Sequence, residues 1–258
     1  MGGGGVVIGP ALAVAALAAV LVAALVGRAA GLGTARSATL AAGRAVVQLG
    51  AVSLLLGAII GSLAASAAFV AVMIGVAAWT SARRVTGHSV LTERSGAWVL
   101  LPIGLAPLPV VGALVAGGVV PAVGVAVIPM AGILIGGTMT ATSLAGRRAL
   151  DELRNRRGEV EAALSLGLLP RDAAAEIARP TGAQALVPPL DQTRTVGLVT
   201  LPGAFVGMLL GGATPIEAGA VQLLVLLMLL AVESVAVAVT LELVYRGRIR
   251  RPAVSAAA

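Results

Sequence analysis

Residues 216–245 read IEAGAVQLLVLLMLLAVESVAVAVTLELVY, a run of 30 residues with only three charges, Glu217, Glu233 and Glu242. An α-helix rises ~1.5 Å per residue, so roughly 20 residues cross the ~30 Å hydrocarbon core of a bilayer. A stretch this long and this apolar reads as a membrane helix. Working outward, six more apolar segments stand at about 6–26, 38–60, 63–80, 96–119, 122–145 and 195–212. Of the 258 residues, 59% are hydrophobic and 11% charged, a balance that few soluble domains have. The expected fold is an all-α polytopic membrane protein, a single transmembrane domain over 1–258 with seven transmembrane helices.

The chain starts MGGGG before its first apolar segment. It has no basic n-region and no cleavage site distinct from the Ala background, so the segment reads as an uncleaved membrane helix rather than a signal peptide. All eighteen basic residues are Arg. Arg28, Arg36 and Arg44 follow segment one; Arg83, Arg84 and Arg94 follow segment three; eight lie between Arg147 and Arg194; Arg246, Arg248, Arg250 and Arg251 end the chain. The second, fourth and sixth loops have none. Basic residues collect on the cytoplasmic side. Seven spans in the inner (plasma) membrane, N-terminus outside and C-terminus cytoplasmic, put every Arg inside. Trp79, Trp98 and Tyr245 then fall at inner ends of spans, where amphipathic rings prefer the interface.

The net charge of +7 is thus a topology signal, and no nucleic-acid partner is expected. With no Cys there is neither a disulfide framework nor a thiolate metal site. With no Lys there is no phosphate-binding loop of the G-x-x-x-x-G-K-[ST] type. No Ser/His/Asp set or HExxH motif suggests hydrolysis, and the single His88 sits in a charged loop. The chain is not expected to be an enzyme or to bind a cofactor itself.

The segment 146–194 is the one long polar stretch, with eight Arg and seven acids. Inside it lies EAALSLGLLPRDAAAEIARP, Glu161 to Pro180. Ala162 and Ala163 favour helix, Gly167 suits a left-handed helix end, and Pro170 suits the first position of a second helix. The expectation is a helical hairpin between helices five and six. Helix five would continue through Arg147 to Leu166, with Glu152 and Arg156 as an i,i+4 pair. The second helix would run to about Ala178, and Pro188-Pro189 would force extended chain before helix six. Spaced as E-A-A, three residues, Gly, nine residues, Ile-x-x-Pro, the stretch resembles the EAA loop of ABC permeases, which docks into an ATP-hydrolysing subunit. Arg179 stands where that pattern has Leu. By this resemblance Glu161, Ala162, Ala163, Gly167, Pro170, Ile177 and Pro180 form the coupling surface. An Ala-rich hairpin without a partner is the plain alternative.

Further residues carry a wider likeness: Gly43-Arg44 with Gln48-Leu49, Ile128-Pro129-Met130-Ala131-Gly132, Pro188 with Asp191, and TVGLVTLPG at Thr195–Gly203. From about Gly43 to Tyr245 the chain resembles the FetB-type permeases of iron-export ABC transporters, to which plant aluminium-sensitivity proteins are similar. The resemblance implies a permease subunit that exports iron or another metal cation. It implies a separate ATP-binding subunit holding ATP and Mg, and a second permease copy as partner. Gly137 stands where that family has Asn, with Met139 in place. A secondary transporter or channel, or an ABC permease for a non-metal substrate, remains open.

Within the spans the candidate path residues are Gln48, Thr138, Met139, Thr140 and Glu233. An intramembrane carboxylate faces a cavity or a partner, so Glu233 is either a ligand on the path or a protonated acid in an interhelical bond. Gln48 can line the path or bond between helices; Thr138 and Thr140 can back-bond to their own helix; Met130 and Met139 are soft donors or core. No metal-ligand set is assigned. Pro188, Asp191, Thr195, Pro202 and Gly203 form a candidate connector into helix six, Asp191 pairing with Arg194 or relaying motion. Glu242 and Arg246 read as a structural i,i+4 pair. Gly203, Gly207 and Gly211, with Gly132 and Gly136, read as close-packing stripes. Pro102, Pro107, Pro109 and Pro202 predict kinked or broken helices.

Overall fold

The computed structural model describes residues 9–87 and 94–251, and their regular elements are all helices. The first residues of segment one, His88 and the tail after Arg251 lie outside the described residues. The helices are α1 (Pro10–Ala29), α2 (Ala35–Ile59), α3 (Leu63–Thr86), α4 (Arg94–Ala97), α5 (Leu100–Leu105), α6 (Pro107–Ala116), α7 (Gly124–Asn155), α8 (Arg157–Ser165), α9 (Pro170–Ala183), α10 (Val187–Thr195), α11 (Gly203–Leu210) and α12 (Pro215–Tyr245). A 3-10 turn at Gln184–Leu186 joins α9 to α10. Among the described residues six stretches are long and apolar enough to cross a membrane: α1, α2, α3, the interrupted run Arg94–Ala116, α7 and α12.

The apolar segment at 195–212 does not form one helix, and the break expected at Pro202 is present. Its only α-helix beyond Thr195 is α11, whose eight residues reach ~12 Å, less than half of a bilayer core. The cause is local. Gly197 takes φ 82°, Val196 and Thr200 form an isolated bridge, and Pro202 is extended at φ −64°, ψ 151°. Pro202 also has no N–H to give a helix.

Residues up to Gly61 and residues from Ser62 form two separate compact units. In the first, α1 and α2 are joined by a turn in which Gly31 and Gly33 are left-handed. Gly27 is the one buried residue of α1, and α2 has none. The apolar side chains of this unit therefore remain open to lipid or to other protein.

The second unit is built on α7, which packs on α3, α9 and α12. Small residues make that approach possible: Ala78, Ala82, Ala131, Ala141, Ala145, Ala149 and Ala236 are all at most 2% exposed. Ser143 on α7 shares a 2.9 Å hydrogen bond with Ser81 on α3. A β-carbon at Gly146 would stand 2.8 Å from Val85. The α12 helix opens with a capping box. The Glu217 amide donates to the Thr214 hydroxyl at 3.3 Å, and the Thr214 amide donates to the Glu217 carboxylate at 2.8 Å, satisfying two N-terminal donors. The far ends of α3, α7 and α12 meet: Arg251 donates to the Val85 carbonyl at 3.0 Å and pairs with Asp151. The basic clusters at 83–84, 147–157 and 246–251 thus gather at one end of this unit.

The proline breaks of segment four appear as α4, α5 and α6, Pro107 opening α6. Three expectations around the polar stretch need correction. Helix five does not reach Leu166; it ends at Asn155, and Arg156 (φ −108°, ψ 35°) separates α7 from α8. Arg156 is held there by Glu152 at 3.3 Å and by Glu159. The α9 helix runs through Pro180 to Ala183 rather than stopping near Ala178. Pro188 and Pro189 do not force extended chain but lie in the first turn of α10, where amides have no helical acceptor to lose.

Candidate functional site

The hairpin at Glu161–Pro180 is built as its residues dictate. Gly167 adopts φ 91° just past α8. Its amide donates to the Leu164 carbonyl at 2.9 Å, and the Leu168 amide donates to Ala163 at 3.1 Å. That bond pair is a Schellman closure. Pro170 is the first residue of α9, with Leu169 extended before it. Ala162 and Ala163 lie on α8, which has no buried residue, and Glu161 pairs with Arg157 at 2.8 Å on the surface. Ile177 faces the other way, buried with Ala173, Ala174, Ala175 and Ala178. The α9 helix therefore packs on α7 and α12 while α8 is presented outward.

Two ties join this hairpin to α12. Arg171 forks onto Glu242, donating from Nε at 3.1 Å and Nη2 at 2.7 Å. Near the end of α9, Gly182 lies so close to Leu241 that a β-carbon there would overlap its side chain.

A second feature lies along α12. The run α10, break, α11 follows this helix in the opposite direction. Gly182 meets Leu241, Pro188 and Gln192 share a cavity with Leu229 and Glu233, and Gly197 and Phe205 share another with Gln222 and Leu226. The cavity at Glu233 measures about 280 Å³ and that at Gln222 about 310 Å³. Glu233 is 7% exposed, and no hydrogen bond or ion pair joins it to another described residue. Gly137 makes room for it: a β-carbon there would overlap Glu233 Oε1 and Leu229 Cδ1.

Against known families, residues 11–249 match the model of the uncharacterised protein family UPF0014. The chain belongs to this family. Among curated UPF0014 relatives, the membrane protein STAR2 of Oryza sativa subsp. japonica is 41% identical over 100 residues, 39% of this chain and 35% of that one. Protein ALUMINUM SENSITIVE 3 of Arabidopsis thaliana is 38% identical over 100 residues, covering 39% and 37%. The probable iron export permease protein FetB of Escherichia coli strain K12 is 33% identical over 111 residues, 43% of each chain. These matched stretches span well under half the length of each relative. No solved structure matches.

The other candidate residues of this UPF0014 chain are dispersed. Thr138 is fully buried and donates to Ile135 at 2.9 Å, so its hydroxyl serves its own helix. Met139 packs against the core. Thr140 back-bonds to Gly136 at 3.0 Å yet lines the Glu233 cavity. Gln48 lies in the N-terminal unit, exposed on α2 beside Arg44. Asp191 and Arg194 form a loose 3.5 Å pair, and the Thr195 hydroxyl donates to the Asp191 carbonyl at 2.9 Å. Pro202 and Gly203 mark the break before α11. In the expected stripe Gly203, Gly207, Gly211 a β-carbon would meet no atom of another helix within 4 Å, whereas one at Gly132 would stand 3.0 Å from Met73 Cε. Sequence reading missed Arg171, Gln192 and Gln222. Gln222 had a signal, an amide inside an apolar run; Arg171 had none, because its partner is 71 positions away.

Proposed function

We propose that this UPF0014 protein is the permease subunit of an ABC transporter that exports iron or another metal cation. The observation that carries the reading is the hairpin. Its Gly167 closure and Pro170 start, with an outward α8 and a buried α9 seated on α7 and α12, form a short rigid lever. A lever of this kind transmits a push from an ATPase. ATP and Mg sit on that separate subunit. ABC chemistry uses two ATP-binding domains, and one permease unit per chain then calls for a permease homodimer. The Arg-rich end faces the cytoplasm, and the C-terminus lies there. The run from α10 to α11 is the seventh crossing, made discontinuous at Val196–Pro202. Its antiparallel course beside α12 supports this, and non-helical backbone is tolerated at membrane depth where it lines a cavity. The metal cargo is supported by the likeness to the iron export permease.

The test is purification of the tagged chain with its ATP-binding subunit, followed by reconstitution in liposomes. The expected result is Fe2+ movement that needs ATP and both chains. Flux driven by an ion gradient through this chain alone overturns the proposal in favour of a secondary carrier.

A further inference from the structure

Gln222 and Glu233 both lie on α12 with little exposure. Gln222 is 5% exposed and its Oε1 accepts no hydrogen bond; Glu233 is 7% exposed and likewise unpaired among the described residues. They stand eleven positions apart, three helical turns, so they share one face of α12 about 16 Å apart. Each lines its own cavity; the Gln222 cavity lies between α12 and the break and α11, and the Glu233 cavity between α12, α10 and α7. We propose that this seam is the route of a hard metal cation, with Glu233 as its binding group and Gln222 as a neutral station three turns away. The identity of the cargo as a metal rests on the permease reading above; the site itself rests on the cavities and these two polar groups.

The chemistry favours a cation of this class. A carboxylate buried at membrane depth without a counter-charge is unfavourable, and an entering cation relieves it. Among the described residues no group of three or more His, Cys, Asp or Glu could form a full metal cage. The other polar side chains lining the Glu233 cavity, Thr140 and Gln192, offer neutral oxygens. One charge, neutral oxygens and retained water suit a hard cation and leave it loosely held. Loose holding is what a conducting site requires. The soft donors Met139, next to Thr138 on α7, and Met228, on α12, pack on the core instead. Gly137 gives the carboxylate its space, and the irregular backbone at Gly197–Pro202 walls the second cavity.

The experiment uses the full chain in nanodiscs with Mn2+ alone as a hard, paramagnetic probe. Free Mn2+ is followed by its electron paramagnetic resonance signal. The wild type should show saturable binding at a single site. Glu233→Gln, nearly the same in shape, should weaken it ~tenfold or more while the protein stays monodisperse. Gly137→Leu, which fills the cavity from α7 and keeps the carboxylate, should cause the same loss. Gln222→Leu should slow transport in the reconstituted complex several-fold, and unchanged transport removes Gln222 from the route. Absence of binding by the wild type, or unchanged affinity in both Glu233→Gln and Gly137→Leu, overturns the proposal. If Glu233→Gln does not stay monodisperse, Gly137→Leu decides. Binding needs neither ATPase nor nucleotide. Failure to find an ATPase partner would therefore sink the permease reading alone, and normal ATPase stimulation without Mn2+ binding would sink this site alone.

Discussion

Gly167 is where a single residue decides the geometry of the Glu161–Pro180 hairpin. Its φ of 91° lies in the region that side chains avoid, although nothing stands within 4 Å of a β-carbon there. A substitution is therefore penalised by backbone strain and not by crowding. Gly167→Val should weaken the closure by at least ~1 kcal/mol. The chain should still insert in the membrane, while nucleotide-driven transport and ATPase stimulation fall to background; normal transport by this variant would make the stretch an ordinary loop. Glu161→Ala should do much less, since an exposed pair such as Arg157–Glu161 contributes ~0–1 kcal/mol. A neighbouring acid gives a pH effect. The hydrogen-bonded Arg156 guanidinium holds the Glu159 carboxyl below the usual carboxylate range. A depressed folded value stabilises the α7–α8 joint above the ordinary Glu pKa, and that support is lost as pH falls through the lowered one. Hydrogen exchange at 156–160 should speed up only in strong acid, and Glu159→Gln should remove that dependence. Gly167 and Pro170 were legible from sequence because their roles are set by their own backbone preferences. The Gly137–Glu233 fit was not, because it depends on two helices 96 positions apart meeting side by side.

The elements were legible in proportion to their length. The apolar runs of α1, α2, α3, α7 and α12 are long enough that hydropathy alone finds them. The stretch 195–212 is apolar too, but Gly197 and Pro202 govern its backbone, and it folds as a bridge, an extended residue and an eight-residue helix. The prolines at 188–189 were misleading for the opposite reason: they fit the first turn of a helix, and α10 starts one residue before them. The junction between α9 and α12 was invisible, because a charge pair in sequence, Glu242 with Arg246, gives no hint of a third member. Arg171 supplies it, and the two-point fork fixes orientation. Both side chains are partly exposed, 45% for Arg171 and 33% for Glu242, so the pair adds little to stability. Under the proposed permease function, the tie would carry motion from α9 to α12. Arg171→Ala should leave ATPase binding to α8 near normal yet lower transport per ATP hydrolysed, as measured in proteoliposomes; an unchanged ratio would show that the tie is only structural.

At the scale of the molecule, the open choice is the path of residues 187–210. If they cross the membrane as a broken helix, the turn at Gly211–Thr214 and the hairpin at 165–169 lie on opposite sides. If they fold back on the cytoplasmic surface, both lie on one side and the start of α12 must be cytoplasmic as well. The distribution of Arg favours the first arrangement. The α12 helix has 31 residues, ~46 Å, and its far end carries Arg246, Arg248, Arg250 and Arg251 beside the basic ends of α3 and α7. With that end cytoplasmic, Thr214 is outside, and only a crossing by 187–210 returns the chain to it. The protein has no Cys, so each introduced Cys is the sole thiol in the chain. Ser165→Cys should react with a membrane-impermeant maleimide only after the membrane is opened. Ala213→Cys should react in intact cells. Labelling of both only after opening would remove the seventh crossing, and the conducting seam with it. Labelling of Ser165→Cys in intact cells would place the hairpin outside, where no ATPase could reach it.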